Sequence, residues 1–288
     1  MRNKKNISNR KQSYFLSSFY IFKKIYLKIF SYILKLKNDN DSVILHTLPF
    51  YKIKMWLNLR RDVDRGIYFG TFEFNNAFIF FDLIKQGYVV VDIGANIGLY
   101  SLLAAKKLKN TGKVYSFEPS KFVIKELRKN IEVNNFNNIN VFELALSNSI
   151  GKGELYRCED DAYNSLIAKP MTKVVSIDSV DIITLDDFVK MNNIEKIDVI
   201  KIDAEGLDYL ILKGAQWTLK NFRPIIFCEF NSFYLNDKSQ RDFITYLEEN
   251  EYEVFFAKSN KFILRIEKFY INENNKSASE IICFPTIK

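Results

Sequence analysis

From Tyr88 onward the chain alternates short apolar runs with longer amphipathic stretches. The pattern predicts strand Tyr88 to Ile93, helix Ile97 to Leu108, strand Lys113 to Phe117, helix Lys121 to Asn134 and strand Ile139 to Leu144. β-Branched runs such as Val89 to Val91 belong in strands buried on both faces of a parallel sheet, and strand-helix alternation implies right-handed crossovers. Gly153 to Cys158 and Lys173 to Ile177 read as an inserted strand pair, Asp186 to Met191 as a short helix and Ile197 to Ile202 as another buried strand. A helix around Leu207 to Leu219 and strand Pro224 to Phe230 follow. A helix around Ser239 to Glu249 and strands near Glu253 to Phe256, Phe262 to Ile266 and Ile281 to Phe284 can close the sheet with an antiparallel pair.

Upstream, Tyr14 to Leu36 carries an apolar stripe at Phe15, Phe19, Phe22, Tyr26, Ile29, Ile33 and Leu36, with Lys24, Lys28 and Lys35 on the opposite side. It reads as a basic amphipathic helix. Its lysines interrupt the apolar run before the roughly 18 to 20 residues that span a bilayer, so the helix is expected either to lie on an anionic membrane surface or to dock on the rest of the protein. Asn38 to Ser42 is a polar break. The expected organisation is residues 1–42 as amphipathic helix and linker, 43–87 as a lead-in region packing on the catalytic domain, and 88–288 as that domain.

Composition changes this picture little. The 288 residues, 48% of them apolar, can bury a full core. The formal charge of +8 is partly local, because Met1 to Lys37 holds no acidic residue, and no basic stripe with stacking aromatics suggests a specific nucleic-acid partner. Cys158, Cys228 and Cys283 are odd in number and widely spaced, which argues against a disulfide framework or zinc knuckle and for a reducing, cytoplasmic setting, with the amphipathic helix offering contact to the inner face of the membrane. The composition does not indicate an oligomeric state.

The chemistry concentrates at Y-V-V-V-D-I-G-A-N-I-G-L-Y-S, residues Tyr88 to Ser101. A strand here runs into an acidic, glycine-rich turn that opens a helix, whose first N–H groups and positive dipole end suit a small anionic group. The spacing D-x-G-x-N-x-G puts Asn96 where a dinucleotide fingerprint wants its second glycine, so a pyrophosphate fits poorly. A carboxylate beside an ammonium, as in the methionine end of S-adenosylmethionine, fits better, with Asp92 near the ammonium. At the next strand tip Glu118, followed by Pro119 and Ser120, stands where an acid can accept both hydroxyls of a ribose; Glu118 could instead be an N-terminal helix charge and Ser120 a cap, but its place roughly 20 to 25 residues after the first glycine favours the ribose. Ala145, within E-L-A-L-S, lies where an adenine edge could rest.

On the fourth strand, period-two alternation sends Lys201, Asp203 and Glu205 to one side. Charges on a buried strand need partners, so Lys201 is expected to neutralise Asp203 or Glu229, while Asp203 and Glu205 emerge at the ligand crevice with Glu205 starting the next helix. His46 is the only histidine, which excludes a histidine dyad. No nucleophile elbow, phosphate-binding P-loop or paired C-x-x-C is present, and no metal site is expected. The rivals are a nicotinamide oxidoreductase, which shares strand, turn and ribose acid, and a non-catalytic S-adenosylmethionine-binding protein.

Taken together, G-I-Y-F-G-T-F-E, V-V-V-D-I-G-A-N-I-G-L-Y-S, S-F-E-P-S, L-A-L-S-N-S-I-G-K-G-E-L-Y, I-T-L-D-D-F and I-K-I-D-A-E-G-L-D-Y-L-I-L-K-G-A, in this order between Gly66 and Phe230, resemble the FkbM family of methyltransferases. The resemblance implies an α/β, Rossmann-like class I methyltransferase with a mostly parallel seven-stranded sheet and an antiparallel C-terminal strand, to which the N-terminal helical extension adds. It implies S-adenosylmethionine as cofactor and O-methylation of a hydroxyl on a sugar, glycan or other small natural product, as in polysaccharide biosynthesis. By the same resemblance Asp92, Gly94, Ala95, Asn96 and Gly98 surround the methionine part, Glu118, Pro119 and Ser120 the ribose, and Ala145 the adenine. Asp203 and Glu205 face the reaction, with Asp203 also touching the cofactor and Asn231 a secondary contact. Asp208 stands where the family commonly has Glu, and Asn231 where it often has His.

Overall fold

In the computed structural model, which describes residues 13–15, 42–159, 163–167, 172–230, 237–259, 263–268 and 280–286, the apolar runs form the middle of a large sheet. First come β1 (Ser13–Phe15), the hairpin β2 (Val43–Leu48) and β3 (Ile53–Asn58), and helices α1 (Asp62–Phe69) and α2 (Phe74–Leu83). Then follow β4 (Val89–Ile93), α3 (Leu99–Leu108), β5 (Lys113–Phe117), α4 (Lys121–Glu132), β6 (Ile139–Phe142) and β7 (Ala145–Leu146). After them come β8 (Gly151–Cys158), β9 (Val174–Ile183), α5 (Leu185–Met191), β10 (Val199–Ile202), α6 (Asp208–Lys213), α7 (Gln216–Phe222) and β11 (Ile225–Glu229). The remaining elements are α8 (Asp237–Glu249), β12 (Tyr252–Ser259), β13 (Ile263–Lys268) and β14 (Glu280–Pro285).

The main sheet runs β1-β13-β12-β14-β11-β10-β4-β5-β6. Strands β6, β5, β4, β10 and β11 are parallel, and β14 enters antiparallel to β11. Counting only β4, β5, β6, β10, β11, β12 and β14, the order is third, second, first, fourth, fifth, seventh, sixth, with the seventh reversed. This is the expected class I sheet, and β13 and β1 lengthen its far edge. The strand order reverses between β4 and β10, and in open α/β sheets the ligand crevice lies beyond the strand ends at such a switch point.

Residues Tyr14 and Phe15, expected to start the amphipathic helix, instead pair with Leu264 and Ile263 as an edge strand; an open sheet edge offers backbone partners that local helical periodicity does not foresee. The rest of that expected helix and its membrane contact lie outside the described residues. Among the described residues no helix is long and apolar enough to cross a membrane. The helix expected over Leu207 to Leu219 is two short helices, α6 and α7, parted at Gly214 and Ala215, where glycine weakens helix continuity. The inserted pair β8 and β9 is longer than its alternating pattern suggested and forms a separate small sheet with β7.

Each face of the main sheet has its own core. Val90, Val114, Val199, Phe227 and Ile282 pack with α3 and with Ile53, Met55 and Leu57 of β3, whereas Val91, Phe117, Ile200, Ile202 and Ile226 pack with α5, α7 and α8. Two asparagines of the α4 segment tie the hairpin in place. Asn130 Oδ1 accepts from Trp56 N–H (2.6 Å) while its amide donates to the Ile97 carbonyl (2.9 Å), and Asn134 exchanges two bonds with the Lys54 backbone. The hairpin thereby braces the glycine-rich turn from behind.

Candidate active site

At the tip of β4 the backbone turns sharply. Gly94 has φ 76°, and a β-carbon there would collide with the Asp203 carbonyl oxygen, so only glycine lets the ends of β4 and β10 meet. Asn96 is also left-handed (φ 48°), a conformation asparagine tolerates better than most residues, and Gly98 (φ 100°) is the N-cap of α3. The turn's N–H groups are engaged within the chain. Those of Gly94 and Ala95 donate to the Phe117 carbonyl (3.0 and 2.9 Å), that of Asn96 to Glu118 Oε2 (3.0 Å), that of Ile97 to Asn96 Oδ1 (2.7 Å) and that of Gly98 to the Ala95 carbonyl (2.9 Å). The donors expected for a ligand carboxylate therefore move into the first turn of α3, at Leu99 and Tyr100, whose N–H groups a helix cannot use itself.

Glu118 does two of the things its position allowed. Its oxygens accept from Asn96 N–H and from Ser120 N–H (2.9 Å), which binds the second strand tip to the glycine turn. Ser120 caps α4 through Val123 N–H (3.4 Å).

Along the face shared by Val90, Val114 and Val199, the strands end in polar residues that align across the sheet. Ser116, Asp92 and Lys201 are register partners, as are Glu229 and Glu280 on the next two strands, β11 and β14. Asp92 is buried, accepts from Ser101 Oγ (2.5 Å), which also bonds Ser116 Oγ (2.7 Å), and leaves Oδ1 without a partner. Burial pushes its carboxyl up, against the pull of Lys201 and of the Ser101 hydroxyl.

Lys201, fully buried, pairs with Asp203 Oδ2 (2.7 Å) and lies 4.6 Å from the centre of the Tyr100 ring. Burial alone would lower its ammonium, but Asp203 and then Glu73, Glu280 and Asp92 together raise it above its ordinary value. Asp208, rather than Glu205, stands at the start of α6. It accepts from Ala204 N–H (3.1 Å) and Gly206 N–H (3.2 Å), and its carboxyl is pushed up to about 6, by burial first and Asp203 second. Glu205 sits in the preceding turn with φ 48°, its carbonyl accepting from Ser165 Oγ (3.0 Å).

These elements enclose a cavity of about 230 Å³. Of the residues expected from sequence, Gly94, Ala95, Asn96, Glu118, Pro119, Ala145, Asp203 and Glu205 line it. Asp92, Gly98 and Ser120 do not: Asp92 is held behind the turn by Ser101, and the other two shape helix starts. Asn231 lies outside the described residues. Sequence reasoning missed Glu73, Tyr100, Tyr163 and Asn164 in the lining, and took Glu229 only as a partner for Lys201. Glu73 closes the G-I-Y-F-G-T-F-E segment and Tyr100 belongs to the turn motif, so both were visible as positions but not as neighbours. Among the described residues no cluster of three or more His, Cys, Asp or Glu side chains is arranged to hold a metal.

The lining fits S-adenosylmethionine: an acid, Glu118, at the second strand tip, apolar Leu144 to Leu146 in the same wall, and the helix start at Leu99 and Tyr100 together with a carboxylate, Glu73, bonded to Tyr100 Oη (2.6 Å). With the strand order this defines a class I, S-adenosylmethionine-dependent methyltransferase. Residues 92–254, more than half of the chain, match the family described as the methyltransferase FkbM domain, and the chain belongs to that family. The nicotinamide reading falls with this.

Among curated relatives, Methyltransferase 1 of the fungus Beauveria bassiana (strain ARSEF 2860) is 24% identical over 173 residues, 52% of this chain and 68% of that protein. An uncharacterized protein of Methanocaldococcus jannaschii is 31% identical over 102 residues, 33% of this chain and 36% of its own length. A solved FkbM methyltransferase from Methylobacillus flagellatus KT superposes with a TM-score of 0.44 at 13% identity, covering 88% of this chain and 60% of that one. The chain thus spans less than two-thirds of the latter two.

Proposed function

We propose that the protein transfers the methyl group of S-adenosylmethionine to a hydroxyl of a sugar, glycan or similar small polyhydroxylated molecule, and that Asp203 orients that hydroxyl and takes its proton. The observation that carries this reading is the placement of Asp203 at the switch point. It lines the cavity from the tip of β10, and Lys201 fixes one carboxylate oxygen, leaving the other for an acceptor. When bound, the cofactor supplies a methyl group on a sulfonium that needs no further activation, so the protein's task is alignment, exclusion of water and proton removal. Leu166, Leu207 and Phe72 give the space an apolar wall, while the carboxylates of Glu205 and Glu229 in the lining suit a neutral, hydroxyl-rich acceptor. Gly94, Ala95, Asn96, Glu118, Pro119 and Ala145 would hold the cofactor directly, and Asp92, Gly98 and Ser120 would keep that seat in shape.

The test is a panel of hydroxylated acceptors with the methylated product located by mass spectrometry and NMR. Asp203→Asn is expected to lower transfer by about 10²- to 10⁴-fold while S-adenosylhomocysteine still binds. Full transfer by that variant would reduce Asp203 to a structural partner of Lys201. Methylation on nitrogen or carbon would refute the acceptor class, and binding without turnover on the whole panel would favour a non-catalytic protein.

A further inference from the structure

Lys201 is surrounded by more negative charge than it can balance. Asp203 pairs with it directly, and Glu73, Glu280 and Asp92 all act on it through space. Buried carboxylates in such excess are unfavourable unless protons or another cation compensate them. Two of these acids differ in a way that separates the remedies. Glu280 is 5% exposed, neither of its oxygens has a hydrogen-bond partner among the described residues, and Glu73, Lys201 and Asp203 act on it through space, so it adds a further acid to the cluster. Glu73 lines the cavity: its Oε2 accepts from Tyr100 Oη (2.6 Å), and Oε1 remains for a ligand.

The position of Glu73 indicates which cation. Leu99 and Tyr100, the first turn of α3, line the same cavity as Glu73, so it shares that space with a helix start whose N–H groups are spare while those of Gly94 to Gly98 are engaged. A carboxylate acceptor site next to an ammonium acceptor site matches the two ends of an α-amino acid. Glu205 and Glu229 approach the cavity from the β10 and β11 side instead. Asp92, foreseen near the ligand's ammonium, does not line the cavity, whereas Glu73 does.

We propose that Glu73, held by Tyr100 and backed by the buried Glu280, receives the α-ammonium of S-adenosylmethionine. This rests on the cofactor reading and not on any acceptor. The experiment is calorimetric binding of S-adenosylhomocysteine and of 5′-methylthioadenosine, which lacks the amino-acid end, to the full chain. In the wild type S-adenosylhomocysteine binds more tightly. In Glu73→Gln it is expected to weaken by about tenfold or more while 5′-methylthioadenosine is unchanged, so that retained nucleoside binding reports a folded pocket. A milder variant, Tyr100→Phe, which leaves Glu73 in place but unfixed, should give the same selective loss at smaller size.

An S-adenosylhomocysteine analogue with an α-hydroxyl in place of the amine should bind wild type and Glu73→Gln alike. Loss of both ligands in parallel in Tyr100→Phe, unchanged S-adenosylhomocysteine affinity in Glu73→Gln, or an α-hydroxyl analogue that binds the wild type as well as S-adenosylhomocysteine does would overturn the assignment. A wild type that binds neither ligand would overturn the cofactor reading, and the assignment with it.

Discussion

Glu118, in the cavity wall beyond β5, is 7% exposed and Glu280, on β14 outside the cavity lining, is 5% exposed, yet the two acids are accommodated by opposite means. Glu118 sits at the meeting of two turns, where the N–H groups of Asn96 and Ser120 point at its oxygens. Glu280 has no donor at all and is raised well above the usual carboxylate range by burial, with Glu73 adding to it and Lys201 opposing. The first arrangement is a preorganised anion made by local backbone geometry. The second is a crowd of acids from distant elements that share one ammonium. Fixed dipoles suit a group that must present the same acceptors to every cofactor molecule, whereas a shared cation suits groups whose balance is completed by what binds.

Removing the shared cation should break the comparison most severely. Lys201→Met leaves buried carboxylates unopposed and is expected to cost about 3–5 kcal/mol of stability, read from urea unfolding. A loss under about 1 kcal/mol would mean that protons alone satisfy the cluster.

Asp208 gives a pH signature at the same end. A carboxyl pushed up to about 6 from its ordinary value of 3.8 keeps its proton longer folded than unfolded. Its ionisation therefore removes stability as pH rises from about 4 to about 6, by up to roughly 3 kcal/mol, and the cost is fully present above that window. Asp208→Asn should flatten this part of the stability–pH profile, and an unaltered profile would place the raised group elsewhere.

At the opposite end the effects are smaller. Glu118→Gln keeps the shape but loses charge-assisted acceptance, so S-adenosylhomocysteine and 5′-methylthioadenosine should both weaken by about tenfold. That parallel loss contrasts with the selective one expected for Glu73→Gln, and a selective loss here would dissolve the distinction between the two ends. Ser120→Ala, which removes the α4 cap, should lower stability by only about 1 kcal/mol with cofactor affinity little changed.

The Glu118 end was the more legible in the sequence. Asp92, Gly94, Asn96, Gly98 and Glu118 lie within a single strand-turn-helix-strand unit, and short-range rules for turns, caps and strand tips act within that range. Even there, the outward reach of Asp92 was misjudged, because nothing local says that Ser101 and Ser116 would hold its carboxylate behind the turn. The other end drew Glu73 from the start of α2, Lys201 and Asp203 from β10, Glu229 from β11 and Glu280 from β14. Of these, Asp203, two residues along the chain, and Glu229 could be named in advance as partners for Lys201, but Glu73 and Glu280 could not.

By itself the amino-acid order determined the alternation of strands and helices, the class of sheet it builds and the chemistry of the first turn. Periodicity, glycine and capping residues exert their effects over a few positions, and they are written where they act. Tertiary structure decided which acids would share Lys201, which would reach the cavity and which would be sealed from it. Burial and charge are properties of the space where separate elements meet, and Glu280 acquires its partnerless environment only when β14 is laid beside β11.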